Sequence, residues 1–464
     1  MRYLIGLILL LLIALGAAYV AAGRGGPPSI TIAKPEKWVG VSTPLEVDIG
    51  APGAQFKTIS IVFDQNGKQT TIYSMENGQP SGEGIKLDGP DKLVISRTLG
   101  KETVPGLQTG PGRISVTASR SVLRGLRTLQ SSASHDVQVR LERPQVSIVS
   151  SKHYINLGGS EMVVYRATPS DVTSGVLVGD IEYPGYPASG ASAVDGVKFD
   201  DPALRVAFFA LRYDQDLKTP IRLFARDEAG NTARADFDYT TFPKPFKKSK
   251  IPLDDKFLDR VVPAILAGTT EVKPEGDTLA KFLVINGELR RKNAAKIASF
   301  AKESAPEILW RGVVFHPFGN NAVESAFADQ RTYVYNGKEV DQQVHLGFDL
   351  ASFTNVKLVA ANRGKVVYAD ELGIYGNCVI IDHGMGVQSL YGHLSSIGVK
   401  AGQMVEKEQE IGKSGMTGLA GGDHLHCTML VNGQPVNPVE WWDSHWIEDR
   451  VERKLREAGP AAAQ

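Results

Sequence analysis

GGDHLHCTML, residues 421–430, sets two of the chain's nine histidines one residue apart behind a pair of glycines. Side chains alternate along a strand, so His424 and His426 share one face about 6.6 Å apart, while Leu425 and Cys427 turn the other way, into a core. The stretch therefore predicts a β-strand with an apolar back and a histidine-bearing front. A His-x-His pair also occurs on ordinary solvated strands. Its meaning depends on whether partners exist elsewhere in the chain.

Six of the nine histidines fall between 345 and 445. VHLGFDLAS (344–352) places His345 four residues before Asp349. Read as one strand, 345, 347 and 349 point the same way, and glycine in the middle keeps the space between the two side chains open. SLYGHLSS (389–396) adds His393 on the face of Tyr391. His345, Asp349, His393, His424 and His426 are thus five candidates for one site. Zinc hydrolases hold the metal with three imidazole or carboxylate ligands and leave a fourth position to water. Five residues exceed that need, and the surplus histidines suit proton transfer and stabilisation of a developing oxyanion. The residues alone leave open which three bind. His383, His316 and His445 are read as structural or surface residues, and so are the isolated His135 and His153. Gly412-Lys413-Ser414 is not a phosphate loop, because that pattern needs glycine at 407, which is lysine.

VHLGFDLAS, SLYGHLSS and GKSGMTGLAGGDHLHC, in this order, resemble the catalytic domain of the lysostaphin/LytM-type zinc endopeptidases, peptidase family M23. GNCVIIDHG, VKAGQMVEKEQEIGKSGMTG and VNGQPVNP match as well, so the resemblance covers roughly 310–445. It implies zinc held by His345, Asp349 and His426, with His393 and His424 as catalytic histidines. It also implies hydrolysis of peptide cross-links in bacterial cell-wall peptidoglycan. Cys427 replaces the apolar residue usual after His-Leu-His, and strand alternation turns it away from the metal. Members of the family that have lost ligands serve as wall-binding modules or amidase activators, which gives the alternative function.

Outward from this region the chain reads as multidomain and mainly β. MRYLIGLILLLLIALGAAYVAAG (1–23) carries an uncharged apolar run over residues 3–22, long enough for a membrane-spanning anchor or an extended signal segment. Short alternating runs with turn signals predict two immunoglobulin-like β-sandwich domains at 28–143 and 144–241. Asn66-Gly67 marks a type I′ hairpin. FPKPFKKSKIP (242–252) reads as a solvated linker, 252–307 as a helical connecting region, and 308–446 as the antiparallel β-rich peptidase domain. Residues 447–464 read as a charged terminal helix and tail. Formal net charge is zero and no basic stripe interleaves with aromatics, which argues against nucleic acid. The expected partners are peptidoglycan peptide, the cytoplasmic membrane through 3–22 if uncleaved, and an envelope regulator as a further candidate. The expected location is the periplasm or cell envelope, anchored to the inner membrane. Whether Cys378 and Cys427 pair is open, since spacing does not give their separation.

Overall fold

The computed structural model describes residues 2–22, 26–76, 80, 82–122, 125–192, 198–310, 314–317, 319 and 322–459. The chain is mainly β and divides into two compact units. Arg2–Ala22 is one helix of 21 residues, and its described side chains are exposed. Among the described residues no helix is long and apolar enough to cross a membrane, so the expected anchor finds no support here.

The first unit comprises 1–144 and 226–233. One antiparallel sheet contains Ser29–Lys34, Ser42–Gly50, Lys92–Gly100 and Ile85–Leu87; the other contains Arg127–Val139, Gly110–Val122, Thr58–Gln65 and Lys68–Glu76, with Trp38–Val39 at its edge. Strict alternation builds the core: every second residue of Thr58–Gln65 is buried, and Ile61 and Phe63 meet Val47 and Ile95 of the facing sheet. Asn66 and Gly67 both take positive φ (54° and 77°), as the predicted hairpin requires. The turn at 227–231 belongs to this unit because Asn231 accepts from Val41 N at 2.9 Å and donates to Arg140 O at 2.9 Å.

The second unit holds everything else. Its first part has two four-stranded sheets, one centred on Ser160–Thr168 and Leu204–Ala210, the other on Thr173–Val178 and Ile221–Arg226, and a parallel pair of His153–Asn156 with Tyr239–Phe242. The stretch read as a linker is tied into sheets at both ends: Phe242 closes the strand Tyr239–Phe242, and Lys248–Leu253 pairs in parallel with Asp329–Tyr335. Alternation explains it, since Ile251 and Leu253 join the apolar cluster under the helices while the lysines stay outside. Helices Asp255–Gly268, Thr278–Val284 and Arg290–Ser299 follow, the first two capped by Asp254 and Asp277, each accepting a backbone N–H of the first turn. A π-turn over Ile285–Leu289 joins the last two.

A large antiparallel sheet then runs in the order Ala322–Ser325, Phe348–Ala351, Leu425–Val431, Val387–Leu394, Asn377–Gly384, Gly364–Glu371, Met404–Val405. Its back shares one continuous core with the first part of this unit: Val164, Phe208 and Leu223 belong with Tyr391, Leu425 and Trp441. The C-terminal segment is helical through Glu448–Glu452 and Arg453–Ala458, and part of its charge is buried. Arg453–Ala458 packs inward, and fully buried Lys454 donates to Glu161 at 2.7 Å and to Met162 O at 2.8 Å. Nearby, Glu440 accepts from Ser160 N and Asn156 Nδ2, both at 2.8 Å. A Cβ at Gly159 would lie 2.3 Å from the Glu440 carboxylate, so glycine is needed there. Residues 460–464 lie outside the described residues.

Candidate active site and metal centre

Strand register assembles the site. Leu425–Val431 runs between Phe348–Ala351, where Asp349 faces His426, and Val387–Leu394, where Gly392 faces His426. His424 lies just ahead of this strand, bridged to Gly415, and Leu425 and Cys427 point back into the core as predicted. His345 and Asp349 do not share one strand. His345 ends Lys338–His345 in a separate sheet, and the chain turns through Leu346 and Gly347 before Phe348–Ala351 begins. The turn needs glycine: a Cβ at 347 would sit 2.6 Å from the His426 ring and 2.6 Å from Thr428 Oγ1.

Three atoms converge. His345 Nε2 and Asp349 Oδ1 are 2.9 Å apart, His345 Nε2 and His426 Nδ1 3.0 Å, and His426 Nδ1 and Asp349 Oδ1 3.0 Å. Every other polar atom of these side chains is engaged. His345 Nδ1 donates to Ala326 O at 3.1 Å. Thr428 Oγ1 donates to Leu346 O at 3.0 Å, so it accepts from His426 Nε2–H, also at 3.0 Å. Arg331 Nη2 donates to Asp349 Oδ2 at 2.9 Å. These partners fix both tautomers and leave three lone pairs facing one another without a proton. Such an arrangement is repulsive unless a cation sits among them. Tetrahedral zinc with bonds near 2.0 Å has ligand–ligand edges of about 3.3 Å, close to this triangle. The donor set therefore fits a zinc-type cation.

His393 and His424 flank the triangle, their ring centroids 4.8 Å apart. His393 takes a positive φ of 66° and donates Nδ1–H to Thr417 O at 2.8 Å, which leaves its Nε2 bare. His424 donates Nδ1–H to Gly422 O at 2.9 Å, and its Nε2 lies 3.5 Å from Asp349 Oδ1. Burial, reinforced by His424 and His426, holds His393 neutral, well below the usual histidine range. Burial also pulls His424 down, but Asp349 outweighs it and raises the pKa. Burial tends to raise Asp349, yet His345, His424 and His426 bring it well below the usual carboxylate range. All five candidates line one cavity of about 470 Å³.

Residues far from the motifs complete the site. Arg331 also donates to Ser325 Oγ at 2.8 Å, and that hydroxyl lies 3.3 Å from His345 Nδ1. No local pattern betrays Arg331, whose partner is 18 residues away. Thr428 could have been found: it stands two residues after His426, on the same strand face. Tyr375 packs its ring edge against His426 at 5.4 Å. Outside the cluster, buried His383 is structural, with Nδ1 on Arg363 O and Nε2 on Ser389 Oγ, both at 2.8 Å. His153 is likewise buried, between Ser150 and Asp238 O, and His445 is exposed. Cys378 and Cys427 are buried free thiols.

Residues 343–438 match the sequence model of Peptidase family M23. The C-terminal part of the chain carries a Peptidase M23 domain. Among curated relatives, the DD-carboxypeptidase/endopeptidase Mpg of Neisseria meningitidis is 40% identical over 97 residues, 21% of this chain and 22% of Mpg. The peptidoglycan DD-endopeptidase ShyA of Vibrio cholerae is 29% identical over 180 residues, 38% of this chain and 39% of ShyA. The murein hydrolase activator EnvC of Escherichia coli is 40% identical over 88 residues, 19% of this chain and 20% of EnvC. The chain thus spans between a fifth and two fifths of these relatives. Arg331 and Ser325 lie ahead of the matched M23 segment.

Proposed function

We propose that this protein is a zinc-dependent endopeptidase that hydrolyses peptide cross-links of bacterial peptidoglycan. The observation that carries the reading is the convergence of His345 Nε2, Asp349 Oδ1 and His426 Nδ1, with every remaining polar atom of the three already bonded. These three side chains would hold the metal, which when bound supplies Lewis acidity at the scissile carbonyl and lowers the pKa of water. His393, neutral and with Nε2 free, would take the proton of the attacking water. His424 would donate through Nε2 to the developing oxyanion or the leaving amine. Arg331 keeps Asp349 oriented through the oxygen that faces away from the triangle.

The relatives that are wall endopeptidases support the substrate class. The EnvC relative favours a second reading, a non-catalytic activator of envelope hydrolases. Retention of all five residues in one cavity weighs against it. The domain division 28–143, 144–241, 252–307 and 308–446 is likewise our proposal, with the two upstream modules immunoglobulin-like and acting in the envelope as spacers for the enzyme.

The test is digestion of purified sacculi by the metal-loaded protein, with released muropeptides read by mass spectrometry. Loss of cross-linked dimers, abolished by a chelator and by His426→Ala, is expected. No cleavage together with no stoichiometric zinc would put the activator reading first.

A further inference from the structure

One cationic side chain in the cavity has no part in the proposed chemistry. Arg290 begins the helix Arg290–Ser299 and lines the 470 Å³ cavity together with the five candidate residues. It lies ahead of the segment that matches the M23 model. Its position follows from the π-turn. In a regular helix Arg290 N would bond to Asn286 O. Here it donates to Ile285 O and Gly287 O, which frees the Asn286 carbonyl. That carbonyl accepts from Arg290 Nε at 3.0 Å, and Asn286 Oδ1 accepts from Arg290 Nη2. Fully buried Asn286 is itself held by Asp341 Oδ2 at 2.7 Å. The guanidinium is thus clamped along one edge, and Nη1 has no hydrogen-bond partner among the described residues.

Arg331, the other guanidinium of this cavity, is spent on Asp349 and Ser325. Glu324 also lines the cavity, so its floor is not uniformly positive. A second cavity of about 200 Å³ shares the walls Ala294, Leu346 and Tyr375, and a third of about 450 Å³ shares Ile251, Tyr333 and Leu419. Both neighbouring cavities thus abut walls of the first one. An ordinary surface arginine would be mobile and hydrated. One fixed at two nitrogens beside a reaction centre is pre-organised for a planar anion.

We propose that Arg290 is a carboxylate-binding site that selects peptides carrying a free α-carboxylate on the residue next to the scissile amide. The proposal rests on the endopeptidase reading for its substrate class, and it adds the residue that recognises the acidic group. Charge-assisted hydrogen bonds of this kind correspond to about tenfold or more in affinity.

The test uses two synthetic branched cross-link peptides, identical except that this residue ends in a carboxylate or in a carboxamide. Binding to the metal-free full chain is read by fluorescence anisotropy, which keeps direct metal–carboxylate contacts out of the measurement. The acid should bind about tenfold or more tightly than the amide. Arg290→Gln should erase that ratio while leaving the amide's affinity unchanged, and Arg290→Lys should restore part of it. Equal or undetectable binding of the two peptides by the unsubstituted protein overturns the proposal, as does a ratio that persists in Arg290→Gln. Cleavage by the metal-loaded protein is scored separately. If neither peptide is cut, the endopeptidase reading fails while the acid-to-amide ratio still judges Arg290. If both are cut equally and bound equally, the endopeptidase stands and the Arg290 site falls.

Discussion

At His345, Asp349 and His426, three acceptor atoms face one another across about 3 Å, and the hydrogen-bond partners that fix these side chains all lie on their outer edges. At Glu161 and Lys454, also buried in the second unit, carboxylate and ammonium meet directly at 2.7 Å, and the remaining carboxylate oxygen accepts from Tyr154 N at 2.9 Å. The first cluster is complete only with a cation from outside. In the second, the carboxylate already faces cations of the chain itself, Lys454 Nζ at 2.7 Å and Arg450 Nε at 3.8 Å. Burial alone therefore does not mark a functional cluster; what marks one is acceptors that converge without a proton to share.

This contrast can be broken at either end. The largest effect is expected at the first cluster: His426→Ala or Asp349→Ala should abolish stoichiometric zinc, measured by elemental analysis, and with it wall hydrolysis. Zinc retained by both variants would mean that other groups hold the metal. At the second cluster, Lys454→Met leaves Glu161 buried without its partner. Breaking a buried pair from one side costs about 3–5 kcal/mol. Denaturant unfolding should show a loss of that size with zinc content unchanged. A Glu161→Leu/Lys454→Met double variant should recover most of it, since both charges are then gone. No recovery would mean that packing, rather than charge, fixes the terminal helix.

A smaller effect separates the two clusters by pH. Glu440, beside the second cluster, is pushed up to about 7 by burial, against the hydrogen bonds from Asn156 and Ser160. The folded protein therefore keeps a proton that the unfolded chain releases near the ordinary glutamate value. Glu440's contribution to stability falls as pH rises from about 4.5 to about 7 and is flat beyond, a total of about 3 kcal/mol. Glu440→Gln should remove that slope. The gap in melting temperature between variant and unsubstituted protein should change steadily between those pH values, and a constant gap would show that Glu440 is ionised throughout.

Much of the first cluster is legible in the sequence because its parts are local: His-x-His on a strand, His345 four before Asp349, and a glycine where the ring of His426 needs room. The second cluster is not legible. Glu161 sits in a run that reads as an ordinary alternating strand, and Lys454 in a helix whose charges look solvated; 293 residues separate them. The same limit hid the strand Lys248–Leu253, whose proline and lysines read as linker until Asp329–Tyr335 lies beside it. It also hid the π-turn before Arg290, since no residue type demands one. Alternation tells which face of a strand is apolar, but not which distant strand or helix covers the other face.

Arg331 joins the two kinds of cluster, because it forms an ion pair, like Lys454, and does so on a metal-site carboxylate. Two effects of removing it compete. Its positive charge near a divalent cation should weaken metal binding, so its loss could tighten it. Its hydrogen bonds to Asp349 Oδ2 and Ser325 Oγ, at 2.9 and 2.8 Å, orient one ligand directly and a second through the hydroxyl beside His345. Losing an outer partner of a metal ligand typically costs 10–100-fold in affinity. With both bonds made by one nitrogen in a mostly buried setting, orientation should win. Arg331→Met is expected to weaken zinc binding by about 10–100-fold in competition against a chromophoric chelator. Unchanged or tighter binding would show that charge repulsion outweighs orientation, and that Arg331 serves the fold of the cleft rather than its metal.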